Sequence, residues 1–501
     1  MPEATASATQ PAPSRWPRQI KYIVGNEACE RFSYYGMRSI LAGYITGSVL
    51  KGGLGYTDDF ATERIHFFVF VNYFLPLAGA WLSDKIIGRY HTILWVSLFY
   101  CAGHGVLACS DLAADVPGKT MFLYVGLALI AFGSGGIKPC VSAFMGDQFK
   151  PEQSHLLQKA YGAFYWAINF GSFFAFFVVP WVKDRHGYSA AFAVPGVLMA
   201  IATLIFWLGT KHYVRVPPSR VTRSVGFFRV LFAAFLGPRA AGKGFWDTAR
   251  ARFTDAEVDA AKSVLPILMI FALIPIFFSL FDQTNTTWVL QGEKMTPFVF
   301  HLWFITFTGI SHWLSGLAGS PFGLISLNLG AEEMQSANPA IVMILVPLFT
   351  WILYPRIGRV ASPLNRMTLG MFLAAASYLV VAAIQSRIEH GQQLSVLWQI
   401  VPYFILTAAE VLVSTTGLEF AFREAAPEMK STVMSFWLVA IAFGDLFVAV
   451  LTKVLSNGAG NAAVTTGRFL QYAGLTFVVA ILFRIVAAFY RYRDAAAAEG
   501  K

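Results

Sequence analysis

Charge is scarce in this chain. Of 501 residues, only 13% are Asp, Glu, Lys or Arg, about half of the roughly 25% usual in soluble domains. Such a chain cannot cover a water-facing surface with polar groups. Cysteine says little: Cys29, Cys101, Cys109 and Cys140 fall in or beside apolar segments. None forms a CxxC pair, so neither a disulfide framework nor a zinc site is indicated. The opening MPEATASATQPAPSRWPRQ (1–19) lacks a short apolar core with a cleavage site. It reads as a disordered cytoplasmic tail, not a signal peptide. HExxH and GxSxG are missing, so no membrane hydrolase is indicated; no enzyme activity, metal or cofactor is expected. GPRAAGKG (237–244) approaches a phosphate-binding loop but ends in Gly244 where Ser or Thr belongs. It also lacks a βαβ context, so ATP is not expected. The sequon NTT (285–287) falls in or at the end of an apolar span and carries no weight.

Apolar residues, by contrast, make up 56% of the chain and aromatic ones 16%. A spanning helix needs about 20 apolar residues. Twelve segments qualify, at 20–48, 63–84, 90–110, 119–145, 158–182, 188–210, 262–290, 337–355, 365–386, 396–422, 431–455 and 468–491. The expected class is an all-α membrane protein. Its formal net charge of +10 needs no nucleic acid, because Lys and Arg gather in cytoplasmic loops. The 211–262 connection holds Lys211, Arg215, Arg220, Arg223, Arg229, Arg239, Lys243, Arg250, Arg252 and Lys262, and loops 49–62 and 110–118 on the other face are poor in positive charge. Both termini are therefore expected in the cytoplasm.

The domain plan follows: a tail at 1–19, a six-helix bundle at 20–210, a basic linker at 211–261, a second bundle at 262–491 and a tail at 492–501. Within the linker, 224–236 is too short to span and reads as an interfacial helix. Residues 292–334 form an apolar insertion on the outer side, expected as an interfacial or re-entrant hairpin or an extra pair of short spans. LSDKIIGRYHTI (82–93) and LYPRIGRVASPL (353–364) echo each other six spans apart, as in carriers built from two halves around a midplane site.

The first span carries charges that lipid would not tolerate. Glu27, Glu30, Arg31 and Arg38 lie in GNEACERFSYYGMRSIL. Each costs roughly 2.5–3.5 kcal/mol at the bilayer centre. At 100° per residue, these four with Tyr34 and Tyr35 fall within an arc of about 140°, a polar stripe that must face a cavity or partner charges. Glu27 and Arg31 are an i,i+4 pair, so part of the stripe can be scaffold, but Arg38 needs a partner from another helix. Lys138, Asp282, Glu410 and Glu419 lie in other spans, with His66 and, on its face, Tyr73. Asn169 and Asn338 add uncharged donors at membrane depth. Cations and carboxylates separated by aromatic side chains suit a zwitterion. Arg38–Asp282 and Lys138–Glu410 are expected as gate pairs on opposite sides.

ExxERFxYYG (27–36), GSGGIKPCVSAFMGDQF (133–149), FYWAINFGSF (164–173) and EVLVSTTGLEF (410–420) resemble the proton-dependent oligopeptide transporter (POT/PTR) family of the major facilitator superfamily, over about 20–490. GAWLSDKIIGR (79–89) resembles the general superfamily motif. The resemblance implies two six-helix bundles of 12 core helices, acting as a proton-coupled symporter of di- and tripeptides in a bacterial inner membrane. By resemblance, Arg31, Arg38 and Lys138 hold the peptide carboxylate, and Glu410, Asn169 and Asn338 its amino end. Tyr34, Tyr35, Tyr73 and Trp437 line side-chain pockets, and Glu27 and Glu30, with Arg31 beside them, couple to protons. His66 and Asp282 resemble the animal branch, where a second-helix His faces a seventh-helix acid. Phe278 stands where many relatives have Trp, and the 292–334 insertion is outside the pattern. The expected partners are peptides, protons and the lipid bilayer, with no nucleic acid, and a monomer is expected to suffice. The alternatives are a proton symporter for nitrate or an amino acid, and a channel or receptor. Glu410 argues against a bare anion, and a pore usually shows one sign of charge.

Overall fold

The computed structural model describes residues 16–150, 153–218, 226–237, 244–303, 324–357, 362–426, 429–456, 463–490 and 492. Of the expected tails at 1–19 and 492–501, residues 1–15 and 493–501 lie outside the described residues, as does most of GPRAAGKG.

Helices are named in chain order. The first half comprises α1 (Ile20–Thr46), α2 (Asp58–Ile87), α3 (Arg89–Ala108), α4 (Val116–Gly146), α5 (154–186) and α6 (188–208). The second comprises α7 (Asp255–Phe271 with Ile274–Asn285), α8 (Glu333–Leu353), α9 (Pro363–Glu389), α10 (Val396–Glu424), α11 (Lys430–Leu455) and α12 (Thr466–Phe489). Among the described residues, nine helices are long and apolar enough to cross a membrane, or ten with the 44° bend of α7 counted within one span. One of the nine, Lys159–Lys211, runs 53 residues, which at 1.5 Å per residue would be about 80 Å against a core of about 30 Å. Gly187 divides it: φ is +82° there, open to glycine at little cost, and α5 and α6 become separate spans. The twelfth is α1, whose own charges take it out of the purely apolar class. The twelve expected spans are all present.

α1 packs against α5 and α6, and α3 against α4; in the other half α9 packs against α12 and α10. Close approach relies on small residues. A Cβ on Gly79 of α2 would stand 2.6 Å from the Gly135 carbonyl oxygen of α4, so these backbones touch. The halves meet through α2 with α11 and through α5 with α8.

Two boundaries differ from the sequence reading. α7 begins at Asp255, not 262, because Thr254 and Glu257 form a reciprocal capping box ahead of the apolar run. The insertion forms an antiparallel strand pair, Phe298–Trp303 with Leu324–Leu329. It is therefore not a pair of helical spans at those residues, and 304–323 lie outside the description. The linker helix is present as Phe227–Leu236. Phe227 and Val230 are buried, with Phe227 edge-on to Phe436 of α11, and Phe228, Phe232 and Phe235 remain exposed.

Candidate functional site

A cavity of about 130 Å³ lies between the halves, where carriers built from two halves place their site. The first half supplies Tyr35 and Arg38 from α1, Tyr73 from α2, and Tyr165, Asn169, Ser172 and Phe176 from α5. The second supplies Phe281, Asp282 and Asn285 from α7, Gln335 and Asn338 from α8, and Glu410 from α10. Tyr165, Ser172 and Gln335 escaped the sequence reading, since uncharged polar groups in a span carry a weaker signal than charges.

One wall is cationic at its base. Arg38 donates through Nη2 to Asp282 Oδ1 at 3.1 Å, and both side chains are almost wholly buried. This expected pair forms, and it ties α1 to α7 across the halves. The other wall is acidic: Glu410 Oε2 accepts from Asn338 Nδ2 at 2.7 Å, and Asn338 also donates to Thr407 at 3.1 Å. A π-helical stretch, Val411–Thr415, follows Glu410 directly; such bulges are frequent at functional sites. Asn169 donates to its own helix, at the Tyr165 carbonyl.

The rest of the α1 stripe lies behind the cavity. Arg31 Nε sits 3.0 Å from Glu27 Oε1 and contacts Glu30 as well, so one guanidinium serves two buried carboxylates. Tyr34 fills the space between the cations: Arg31 and Arg38 each lie 5.8 Å from its ring centre, and Asn72 donates to its hydroxyl at 2.8 Å. Lys138 stands over the rings of Tyr34 and Tyr73, at 4.5 and 4.2 Å. Its ammonium has no hydrogen-bond partner, and Lys138 is absent from the cavity lining that holds Glu410. The expected Lys138–Glu410 pair is thus not made in this conformation. Trp437 is also away from the lining, buried edge-on against Phe271 and Phe278.

His66 meets a partner the sequence reading did not name. Its Nδ1 lies 2.7 Å from Asp445 Oδ1 on α11, and its Nε2 lies 2.9 Å from Thr286 Oγ1. Asp282 is bound to Arg38 instead. Asp445 was legible: it is an acid inside the apolar run IAFGDLF (441–447), by the same rule that singled out Glu410.

The described ion pairs joining the halves sit at mid-depth or on the side away from the chain ends. Besides Arg38–Asp282 and His66–Asp445, they are Lys183–Glu332 at 2.6 Å, Lys294–Asp58 at 3.1 Å and Lys453–Glu63 at 3.8 Å. Asp59 also accepts from Ser456 and from the Ala463 amide. The far side is the closed side.

Comparison with known proteins agrees with this architecture. A family model described as the POT family matches residues 90–303 and 308–467. Peptide transporter family 1 of Drosophila melanogaster is 34% identical over 405 residues, 78% of this chain and 50% of that protein. Solute carrier family 15 member 1 of Homo sapiens is 32% identical over 407 residues, 75% of this chain and 52% of that protein. The chain spans about half the length of the curated relatives it matches. Among solved structures, an auto-inhibited POT family peptide transporter superposes with a TM-score of 0.81 at 37% identity, covering 95% of this chain and 98% of that one. The POT family transporter PepTSo gives 0.81 at 38%, with the same coverage.

Proposed function

This chain belongs to the POT family, and from that premise we propose that it is a proton-coupled symporter importing di- and tripeptides by alternating access. The observation that carries the reading is the cavity, with Arg38 in one wall and Glu410 in the other, aromatic rings between them and the halves on either side. A zwitterion a few residues long fits that separation of charge. The relatives named as peptide transporters support it.

In this reading the peptide carboxylate is held by the cations of the first half, Arg31, Arg38 and Lys138, and the amino end by Glu410 with Asn169 and Asn338. Tyr34, Tyr35, Tyr73 and Trp437 receive side chains as the halves rock. Glu27, Glu30, His66 and Asp282 exchange protons as their partners come and go. The basic linker and the other positive loops place both termini in the cytoplasm, in a bacterial inner membrane, and so make the far side the outside. The conformation is then closed outward, which fits the separation of Lys138 from Glu410: their pair belongs to the state closed on the cytoplasmic side. Because Glu410 repels an anion lacking an ammonium, nitrate is disfavoured. The carrier works as a monomer, makes no covalent intermediate and uses no ATP.

The test is uptake of labelled dialanine by proteoliposomes with and without an acid-outside pH gradient. Accumulation against the peptide gradient, abolished by a protonophore and unaffected by nitrate, is expected. Nitrate uptake in place of peptide uptake, or flux independent of the pH gradient, refutes the reading.

A further inference from the structure

His66 is wholly buried about 12 Å, eight residues at 1.5 Å each, from the start of α2, and both ring nitrogens are engaged. Its Nδ1 contact with Asp445, at 2.7 Å, has the short length of a charge-assisted hydrogen bond. Asp445 is equally buried, and its second oxygen, Oδ2, has no hydrogen-bond partner. A carboxylate so placed has His66 as its one direct source of compensation. The charged groups near enough to act on it are Asp282 of α7, Arg38 of α1 and Lys138 of α4, and Arg38 acts on His66 as well. Arg38 is already committed to Asp282, and Lys138 faces aromatic rings.

We propose that Asp445 is the positioning residue that fixes the His66 ring and sets its charge, so that the outer proton site of this carrier is the His66–Asp445 pair and not the histidine alone. The proposal rests on the proton-coupled reading above.

Thr286 completes the device. Backbone geometry leaves the helix there, at φ −134° and ψ −90°, and its hydroxyl lies between His66 Nε2 at 2.9 Å and the Gln283 carbonyl at 3.4 Å. In the unloaded form, Nδ1–H donates to the Asp445 carboxylate and the Thr286 hydroxyl donates to Nε2. In the loaded form a proton has been added to Nε2. Nε2–H then donates to the Thr286 oxygen, whose own hydrogen turns to the Gln283 carbonyl. One proton enters, one hydroxyl rotates, and no side chain leaves its place. Because α2 and α11 belong to different halves, loading converts a single-charge hydrogen bond between them into an ion pair. Proton binding therefore strengthens the outer closure, and proton loss loosens it.

The test uses the full chain, labelled with 13C-histidine in nanodiscs, with the His66 signal assigned by comparison with His66→Gln. We expect the pH at which the His66 ring charges to fall by about one to three units in Asp445→Asn, the effect of removing an adjacent opposite charge. Asp445→Glu should return most of that change, and Thr286→Val should move it in the acid direction by a smaller amount. Driven dialanine uptake, read relative to peptide counterflow, should move to lower pH in the same order. An unchanged His66 titration in Asp445→Asn overturns the proposal, as does a wild-type His66 that stays neutral from pH 4 to 9. If Asp445→Asn does not yield folded protein, an unchanged titration in Thr286→Val overturns it equally. The expected titrations without any pH-driven peptide uptake by the wild type would support the pair and refute the carrier reading.

Discussion

Replacing Lys183 with Met removes the cation from the Lys183–Glu332 pair, which closes α5 against the entry to α8 at 2.6 Å. The Glu332 side chain is 6% exposed and that of Lys183 20%. Removing one partner of a buried pair typically costs about 3–5 kcal/mol, and the partial exposure of Lys183 favours the low end. About 3 kcal/mol at 1.4 kcal/mol per decade is roughly a 100-fold shift from closed toward open on the far side. pH separates this from general damage. Burial raises the Glu332 carboxyl above its ordinary value, with Lys183 opposing. A raised acid stabilises the closed state most fully at low pH, where it is neutral, and that contribution is lost as pH rises through the folded value. The variant should therefore be nearly as closed as wild type near pH 5 and open progressively toward pH 8. The double variant Lys183→Met with Glu332→Gln removes both charges of the pair and should return most of the way to wild type, with Glu333 still buried beside it. Spin labels on Leu50→Cys and Gln392→Cys, both exposed in far-side loops, report closure by electron–electron distance. A variant closed to the wild-type extent at pH 8, or a double variant as open as the single one, refutes the argument.

Glu27→Gln and Glu30→Gln should each abolish uphill peptide uptake while peptide-for-peptide exchange continues, since an amide carries no coupling proton; retained accumulation in both removes them from coupling. Breaking the Arg38–Asp282 pair with Arg38→Met should destabilise this closed state by about 3–5 kcal/mol, and Arg38→Met with Asp282→Asn should recover much of it, as thermal unfolding in detergent can measure. Glu410→Gln should lose most of the wild-type preference for a free dipeptide over its N-acetylated form in competition uptake, and an unchanged preference would leave Glu410 as scaffold.

How much was legible follows from how strongly lipid penalises each residue. Arg38 and Asp282 stood out because isolated charges in apolar spans are forced to find each other, and the structure pairs them. The same rule applied to Asp445, yet one acid in a long apolar helix was passed over, and His66 was assigned to the wrong carboxylate by analogy. Choosing between Asp282 and Asp445 takes coordinates, because sequence spacing cannot say which faces of α2, α7 and α11 meet. Lys138 and Glu410, expected as a pair, stand apart here; in the proposed reading a carrier with two conformations does not form both gates at once. The insertion was ambiguous because short apolar runs do not distinguish strand from helix by period. The start of α7 differs because the Thr254–Glu257 capping box begins the helix ahead of the apolar run that hydropathy detects.

The composition of α1 bears on how the protein is made. Four charges at roughly 2.5–3.5 kcal/mol each would cost an isolated segment about 10 kcal/mol or more on insertion. Glu27, Glu30 and Arg31 compensate one another within the helix as soon as it forms. Arg38 cannot: its partner Asp282 is synthesised 244 residues later. Other polar groups of α1 wait too, Asn26 for the Ala202 carbonyl and Ser33 for that of Pro195. The first of these twelve helices to be made is thus among the last to be satisfied. Those groups are left without their partners until α6 and then α7 arrive, so α1 settles as part of a finished neighbourhood and not as its founder.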